Sequence, residues 1–162
     1  MKSICIYYSR TQNSAKIAKE IAEKTSSELI EISDGKNYSG FFGYIRAAVK
    51  GLSKKLPALL PYDCKGKIGE YDRVIIVSPV WCENICPIVR AFLEENKGDL
   101  RGDVYFVLTH MASLSYEDAI NAEFALIGKT AQATLSLQTR KHEWTSELSD
   151  FIESMNRDIT EE

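Results

Sequence analysis

The sequence predicts an α/β fold built on one doubly wound, five-stranded parallel sheet with helices on both faces. Short apolar runs rich in β-branched and aromatic residues alternate with segments whose apolar residues recur every three or four positions. No repeat, low-complexity segment or linker interrupts this alternation. A length of 162 residues suits one domain with a sizeable core, so residues 1–162 are expected to form a single domain.

Five apolar runs are the predicted strands. Four are nearly continuous, as expected for strands that helices cover on both faces. The second run mixes apolar and polar residues, which is typical of an edge strand with one wetter face. In chain order the runs are SICIYY from Ser3, SELIEIS from Ser27, RVIIVSPVW from Arg73, DVYFVLTH from Asp103 and QATLSLQ from Gln132.

Helical periodicity predicts four connecting helices, over residues 15–25, 87–96, 116–127 and 142–156. Pro87 suits a first helical turn because its missing N–H would be unpaired there anyway. A fifth helix is predicted over residues 41–56, ended by Pro57, in the long connection between the second and third strands. Its basic residues form either a solvated helix face or a surface that docks a partner or cofactor.

Composition and charge restrict the classes of function. Lys and Arg number 20 against 23 Asp and Glu, and the resulting net charge of −3 argues against binding to nucleic acid or to an anionic membrane. No apolar run approaches the ~20 residues of a membrane span, and the first is too short for a secretion signal. Four cysteines are too few for a disulfide scaffold in a chain with its own core, so a reducing cytoplasm is the expected location.

The loop after the first strand has the composition of a phosphate site. It runs through Ser9, Arg10, Thr11, Gln12, Asn13 and Ser14 into the first predicted helix. Free N–H groups at a helix N-terminus attract anions, and the hydroxyl and amide side chains add donors. The glycine patterns of dinucleotide and nucleoside triphosphate loops are absent. An alternative is that Asn13 or Ser14 only caps the helix.

A second loop follows the strand expected at the centre of the sheet. The turn Ser78, Pro79, Val80, Trp81 brings an indole to the carboxyl edge of that strand, where ligands of such sheets bind. The ring could stack on a flat ligand or only close the edge of the sheet.

At these residues the chain resembles the flavodoxin-like family over nearly its full length. The family has a loop of the form Ser/Thr-x-Thr-Gly-x-Ser/Thr after the first strand, matched here by Ser9, Thr11 and Ser14, with Asn13 between them. Its Ser-Pro-x-Trp turn is matched by Ser78, Pro79 and Trp81. The resemblance implies strand order 2-1-3-4-5 and an FMN cofactor whose phosphate lies in the first loop.

The chain departs from the family pattern in two loops. Gln12 stands where the family has its glycine, and the loop THMASLSYEDA after the fourth strand contains none. Thr109 still matches there, followed by His110 and Met111. The predicted FMN-binding residues are thus Ser9, Arg10, Thr11, Gln12, Asn13, Ser14, Ser78, Pro79, Val80, Trp81, Thr109, His110 and Met111.

Other reactive side chains give weaker hypotheses, and none is assigned a catalytic or metal-binding role. Cys86 near a predicted helix N-terminus could be an activated thiol, although packing is the favoured interpretation for it and for Cys82. His110 could donate a proton to a flavin, whereas His142 is expected on the surface. Tyr116 is expected to pack rather than contact a ligand.

Three functions follow from the sequence. The first is an FMN-binding protein that transfers electrons to a transient redox partner. The second is an FMN-dependent reductase of a small quinone-like acceptor, in which the fifth helix forms a lid or dimer contact. The third is a binding module of the same fold that has lost FMN, suggested by Gln12 and the glycine-free loop.

Overall fold

The structure, a computed structural model, describes residues 1–53, 55–140 and 144–157. Strands and helices alternate along the chain, as predicted. The strands are β1 (Ser3–Tyr7), β2 (Glu28–Glu31), β3 (Arg73–Trp81), β4 (Asn84–Ile85), β5 (Asp103–His110) and β6 (Ala133–Gln138). The helices are α1 (Asn13–Thr25), α2 (Gly40–Leu52), α3 (Pro87–Asn96), α4 (Glu117–Leu126) and α5 (Trp144–Arg157), with a 3₁₀ turn at Ile68–Glu70.

Five parallel strands form the sheet in the order β2-β1-β3-β5-β6. Without the two-residue β4, this is the predicted order 2-1-3-4-5. β4, which pairs antiparallel with the end of β3, was not predicted from the sequence. β2 is an edge strand, and three of its four residues are exposed.

Two apolar layers cover the sheet, as a doubly wound fold requires. On one face, Ile17 and Ile21 of α1 and Leu148 and Ile152 of α5 are buried with alternate side chains of the strands. On the other face, Phe92 of α3 and Phe124 of α4 are buried in one cluster with Phe106 of β5. This packing directs the loops that follow β1, β3, β5 and β6 to one carboxyl edge.

The predicted end of the fifth helix is wrong. α2 ends at Leu52, four residues early, and Ser53 is extended with φ −76° and ψ 132°. Pro57 excludes the helical conformation at its preceding residue, Leu56, so the helix could not have filled the predicted range.

The other helices lie within about two residues of prediction. α1 begins at Asn13, two residues early. Residues 141–143, which include His142 and the predicted start of the last helix, lie outside the described residues. Over the described ranges, no helix has the length and apolar character that crossing a membrane requires.

Candidate functional site

A cavity of about 380 Å³ opens at the carboxyl edge of the sheet. This volume is within the ~300–1,000 Å³ range of small-molecule sites. Ten of the thirteen predicted residues line it, whereas Ser9, Gln12 and Ser78 do not. The lining consists of Arg10, Thr11, Asn13, Ser14, Tyr44, Ala47, Ala48, Pro79, Val80, Trp81, Cys82, Glu83, Thr109, His110, Met111, Ala112, Tyr116 and Thr139.

The N-terminus of α1 forms one end of the cavity. Gln12 is the residue before the helix and has a left-handed backbone, with φ 69° and ψ −6°. It therefore adopts the positive φ for which glycine is usually needed. No side chain caps this helix end, and no acidic residue lies in its first turn. The N-terminal N–H groups and their partial positive charge are thus left for an anion.

Asn13 and Ser14 do not cap α1, contrary to the alternative considered from the sequence. The Ser14 hydroxyl lies 2.7 Å from the Thr109 hydroxyl, and both residues are buried. The Asn13 amide donates to the Thr139 hydroxyl at 3.4 Å, and that hydroxyl donates to the His110 carbonyl at 3.1 Å. These bonds join the first loop to the ends of β5 and β6.

Two buried polar atoms at this edge have no hydrogen-bond partner. They are the hydroxyl oxygen of Ser9 and the indole Nε1 of Trp81. An unpaired buried polar group costs about 1–3 kcal/mol, so such groups are rare in folded proteins. Both atoms belong to segments at the carboxyl edge of the sheet, the loop after β1 and the end of β3.

Trp81 contributes to the cavity wall while packing mainly inside the protein. The residue is 6% exposed. Its ring lies 4.9 Å from the Tyr38 ring and 5.7 Å from the Tyr8 ring, centroid to centroid. The pKa of Tyr38 is raised mainly by burial and further by the hydrogen bond that the Tyr38 hydroxyl donates to Asp34. This cluster holds the indole in place beside the cavity.

A strained turn forms the lip of the cavity between β3 and β4. Its two central residues, Cys82 and Glu83, have φ of 49° and 63°, as in a type I′ turn. That turn favours Asn-Gly, and a left-handed backbone costs other residues roughly 1 kcal/mol each. The Cys82 thiol donates to the Ala48 carbonyl at 3.4 Å, which ties the turn to α2.

The wall formed by α2 was missed from the sequence. Tyr44, Ala47 and Ala48 face the cavity, and a Cβ on Gly43 would lie 2.2 Å from the Tyr38 carbonyl carbon. Glycine is therefore required where α2 meets the segment before it. Arg10 lies over the Tyr44 ring, 5.6 Å from its centroid, and so joins the first loop to this wall.

His110 is held by hydrogen bonds on both ring nitrogens. Its Nδ1 lies 2.9 Å from the Ala112 carbonyl, which only accepts, so Nδ1 carries a proton. In the neutral ring Nε2 then accepts from the Ser136 hydroxyl at 2.9 Å, and that oxygen accepts from the Tyr116 N–H. The ring fixes the glycine-free loop against β6, and neither nitrogen is free to act on a ligand.

The two cysteines after β3 differ in environment. Cys86 is fully buried, and this burial raises the pKa of its thiol to about 11, although N–H groups at the start of α3 act in the opposite direction. The burial of Cys86 agrees with packing, the interpretation favoured from the sequence, rather than with an activated thiol. Cys82 is half-buried on the cavity lip. Within residues 1–53, 55–140 and 144–157, no group of three His, Cys, Asp or Glu side chains could hold a metal ion.

Comparison with known proteins identifies the fold. No protein-family model and no curated protein matches the chain. A flavoprotein from Lactobacillus acidophilus, solved in complex with FMN, is 22% identical with a TM-score of 0.67, over 91% of this chain and 98% of that one. A flavodoxin from the domain Archaea is 11% identical with a TM-score of 0.61, over 99% of each chain.

A third solved structure, the apo form of an NADH:FMN oxidoreductase, is 16% identical. Its TM-score is 0.60, and the match covers 95% of this chain and 88% of that one. The chain therefore has the flavodoxin-like fold that the sequence predicted.

Proposed function

We propose that this protein binds FMN in the cavity at the carboxyl edge and transfers electrons through it. The observation that carries the proposal is the first loop, where an uncapped helix N-terminus and the polar side chains of Thr11 and Ser14 border the cavity. Such a loop suits a phosphate. FMN, when bound, supplies one- and two-electron redox chemistry.

The remaining lining suits the rest of an FMN molecule. Met111 and Val80 offer apolar surface, and the aromatic Tyr44 stands at the mouth. Arg10 adds a positive charge beside the loop. The Trp81 side chain adds part of the wall, and its buried Nε1–H has no partner in the protein. These residues would bind and orient the cofactor and exclude water from its ring.

Electron transfer is preferred to the reduction of a small acceptor because His110, which the sequence offered only as a weak candidate for a proton donor, is occupied on both nitrogens. A reductase is the second candidate. The observation that favours it is the exposed Tyr44 and Met111 at the cavity mouth, where an apolar acceptor could lie against the flavin. Four free thiols support a reducing compartment such as the cytoplasm.

The test is a titration of the apoprotein with FMN and, separately, with riboflavin, which lacks the phosphate. Flavin fluorescence quenching measures both dissociation constants. We expect FMN to bind at least about tenfold more tightly than riboflavin, because charge-assisted hydrogen bonds to a phosphate contribute roughly 1.5–3 kcal/mol. Equal affinities would refute the phosphate loop. The absence of any binding would leave the binding module without FMN as the function.

Two further assays separate the carrier from the reductase. Steady-state oxidation of NADH or NADPH with a soluble quinone should be negligible for a carrier. A photoreduced carrier should instead pass electrons rapidly to an added one-electron acceptor. Efficient turnover in the first assay would establish the reductase.

A further inference from the structure

The outer face of α2 is apolar and uncovered. Six of the twelve large apolar side chains that are exposed in the described part of the chain belong to this one helix. Phe42 is 82% exposed and Leu52 is 77% exposed. The other exposed apolar side chains are distributed over the rest of the fold. The six are Phe41, Phe42, Tyr44, Ile45, Val49 and Leu52.

The small residues of α2 face the protein. Gly43, Ala47 and Gly51 are its buried residues and share one side of a helix with 3.6 residues per turn. Phe41, Ile45, Val49 and Leu52 follow the opposite side at spacings of four, four and three. We define these four residues together with Phe42 as the outer face. Such spacing makes a continuous apolar stripe, typical of a helix that packs against a second helix.

The charged residues beside the outer face are turned toward their own chain. Arg46 donates to the Asn37 carbonyl at 3.0 Å, and Lys50 donates to the Lys55 carbonyl at 3.4 Å. Arg46 and Lys50 thus form a polar rim along one side of the uncharged outer face. Stable protein interfaces have this arrangement.

The exposed area is sufficient for a dimer. Aromatic side chains bury ~150–250 Å² each, so the exposed fractions of the five side chains of the outer face offer on the order of 600 Å² of apolar surface per copy. A standard interface buries about 800 Å² per partner, and a contiguous exposed patch of several hundred Å² generally marks an interaction site. A two-fold symmetric pair would bury the outer face of one copy against the same face of the other.

We propose that the outer face of α2 is the interface of a symmetric homodimer. Because Ala47 and Ala48 of the same helix border the cavity, dimer formation would also hold one wall of the site in place. The proposal is independent of FMN binding, so it is tested on the full chain without flavin.

The proposal is tested by light scattering coupled to size exclusion and, separately, by sedimentation equilibrium. The protein concentration is varied over roughly 1–100 µM, the range in which a moderately stable dimer dissociates. We expect a mass of twice the 18.3 kDa chain. Val49→Glu should raise the dimer dissociation constant at least about 30-fold, because both copies place a charge in an apolar interface. Leu114→Glu is the matched control, since Leu114 is similarly exposed outside α2.

Three results would overturn the proposal: a wild-type monomer at the highest concentration, equal dissociation constants for the Val49 and Leu114 variants, or a monomer that binds phosphatidylglycerol vesicles through α2. The last would make the outer face a membrane contact. Circular dichroism verifies folding. Phe42→Glu serves as a second interface variant if Val49→Glu does not fold.

Discussion

The two ends of α1 have the same left-handed backbone for different reasons. At the C-terminal end, Ser26 has φ 52°, and its own N–H and that of Ser27 bond to the Ala22 carbonyl, which completes the hydrogen bonding of the helix. At the N-terminal end, Gln12 has φ 69° and no side chain caps the helix. The left-handed residue at the C-terminal end completes the hydrogen bonding of the helix, whereas the one at the N-terminal end leaves the helix uncapped, which is the basis of the proposed phosphate site.

The same contrast holds between the two edges of the sheet. The carboxyl edge contains the left-handed Cys82 and Glu83 and the unpartnered polar atoms of Ser9 and Trp81. At the amino edge, Arg73 also has an unpartnered nitrogen. Its other terminal nitrogen, however, donates to the Met155 carbonyl at 2.6 Å, and its guanidinium lies over the Tyr105 ring. The Arg73 guanidinium is thus anchored within the protein through its other contacts.

The largest expected effect is that of Trp81→Ala. Removing a buried indole that packs on Tyr8 and Tyr38 should lower the free energy of unfolding by about 3–5 kcal/mol and weaken FMN binding. Urea denaturation measures the first effect and fluorescence titration the second. Trp144→Ala is the control, since Trp144 is only partly buried and lies outside the cavity. A loss below about 1 kcal/mol at Trp81 would show that the indole is not held as described.

Two matched hydroxyl pairs compare the edges directly. Ser14 pairs with Thr109 at the carboxyl edge, and Ser3 pairs with Ser27 at the amino edge, each at 2.7 Å. Ser14→Ala and Ser3→Ala should each lower the free energy of unfolding by about 1 kcal/mol. Only Ser14→Ala should also raise the FMN dissociation constant, by roughly tenfold. Equal FMN affinities in the two variants would remove Ser14 from the site.

Gln12→Gly and Ser26→Gly compare the two ends of α1. Each substitution relieves a left-handed backbone and should raise the free energy of unfolding by about 0.5–1 kcal/mol, because part of the gain is lost to the flexibility of the unfolded chain. FMN affinity should change less than about threefold in both, since Gln12 already has positive φ and does not line the cavity. Much tighter binding by Gln12→Gly would mean that the glutamine side chain obstructs the phosphate.

The smallest effect is expected for Glu95→Gln, at the amino edge. The Lys65 ammonium lies 2.6 Å from a carboxylate oxygen of Glu95, and the Tyr62 hydroxyl donates to the same carboxylate. Both groups lower the pKa of Glu95, despite the opposing effect of partial burial. A carboxylate whose pKa is lowered by folding stabilises the folded state at pH values above its pKa in the unfolded chain. This contribution is lost as the pH falls through its pKa in the folded protein. At neutral pH the free energy of unfolding of the wild type should therefore exceed that of the variant by less than about 1 kcal/mol, since the pair is partly exposed. This difference should disappear at acidic pH. A constant difference in urea midpoint between neutral and acidic pH would contradict the prediction.

The sequence was sufficient for the parallel sheet and for the edge of the sheet at which the cavity opens, because periodicity and strand ends are local signals. It could not predict β4, since Cys82 and Glu83 are not residues that favour a type I′ turn. The α2 wall and Thr139 were missed because only tertiary packing brings them to the cavity. For α2, the buried spacing of Gly43, Ala47 and Gly51 was a signal that could have predicted close packing.

The central claim is that the carboxyl edge holds the ligand, and amide and indole NMR spectra during an FMN titration test it most directly. The chain has two tryptophans, Trp81 in the cavity wall and Trp144 on α5. We expect FMN to shift the indole N–H of Trp81 and the amides of residues 9–14, while the Trp144 indole signal stays in place. Saturable binding that leaves the Trp81 indole and the first loop unshifted would contradict it.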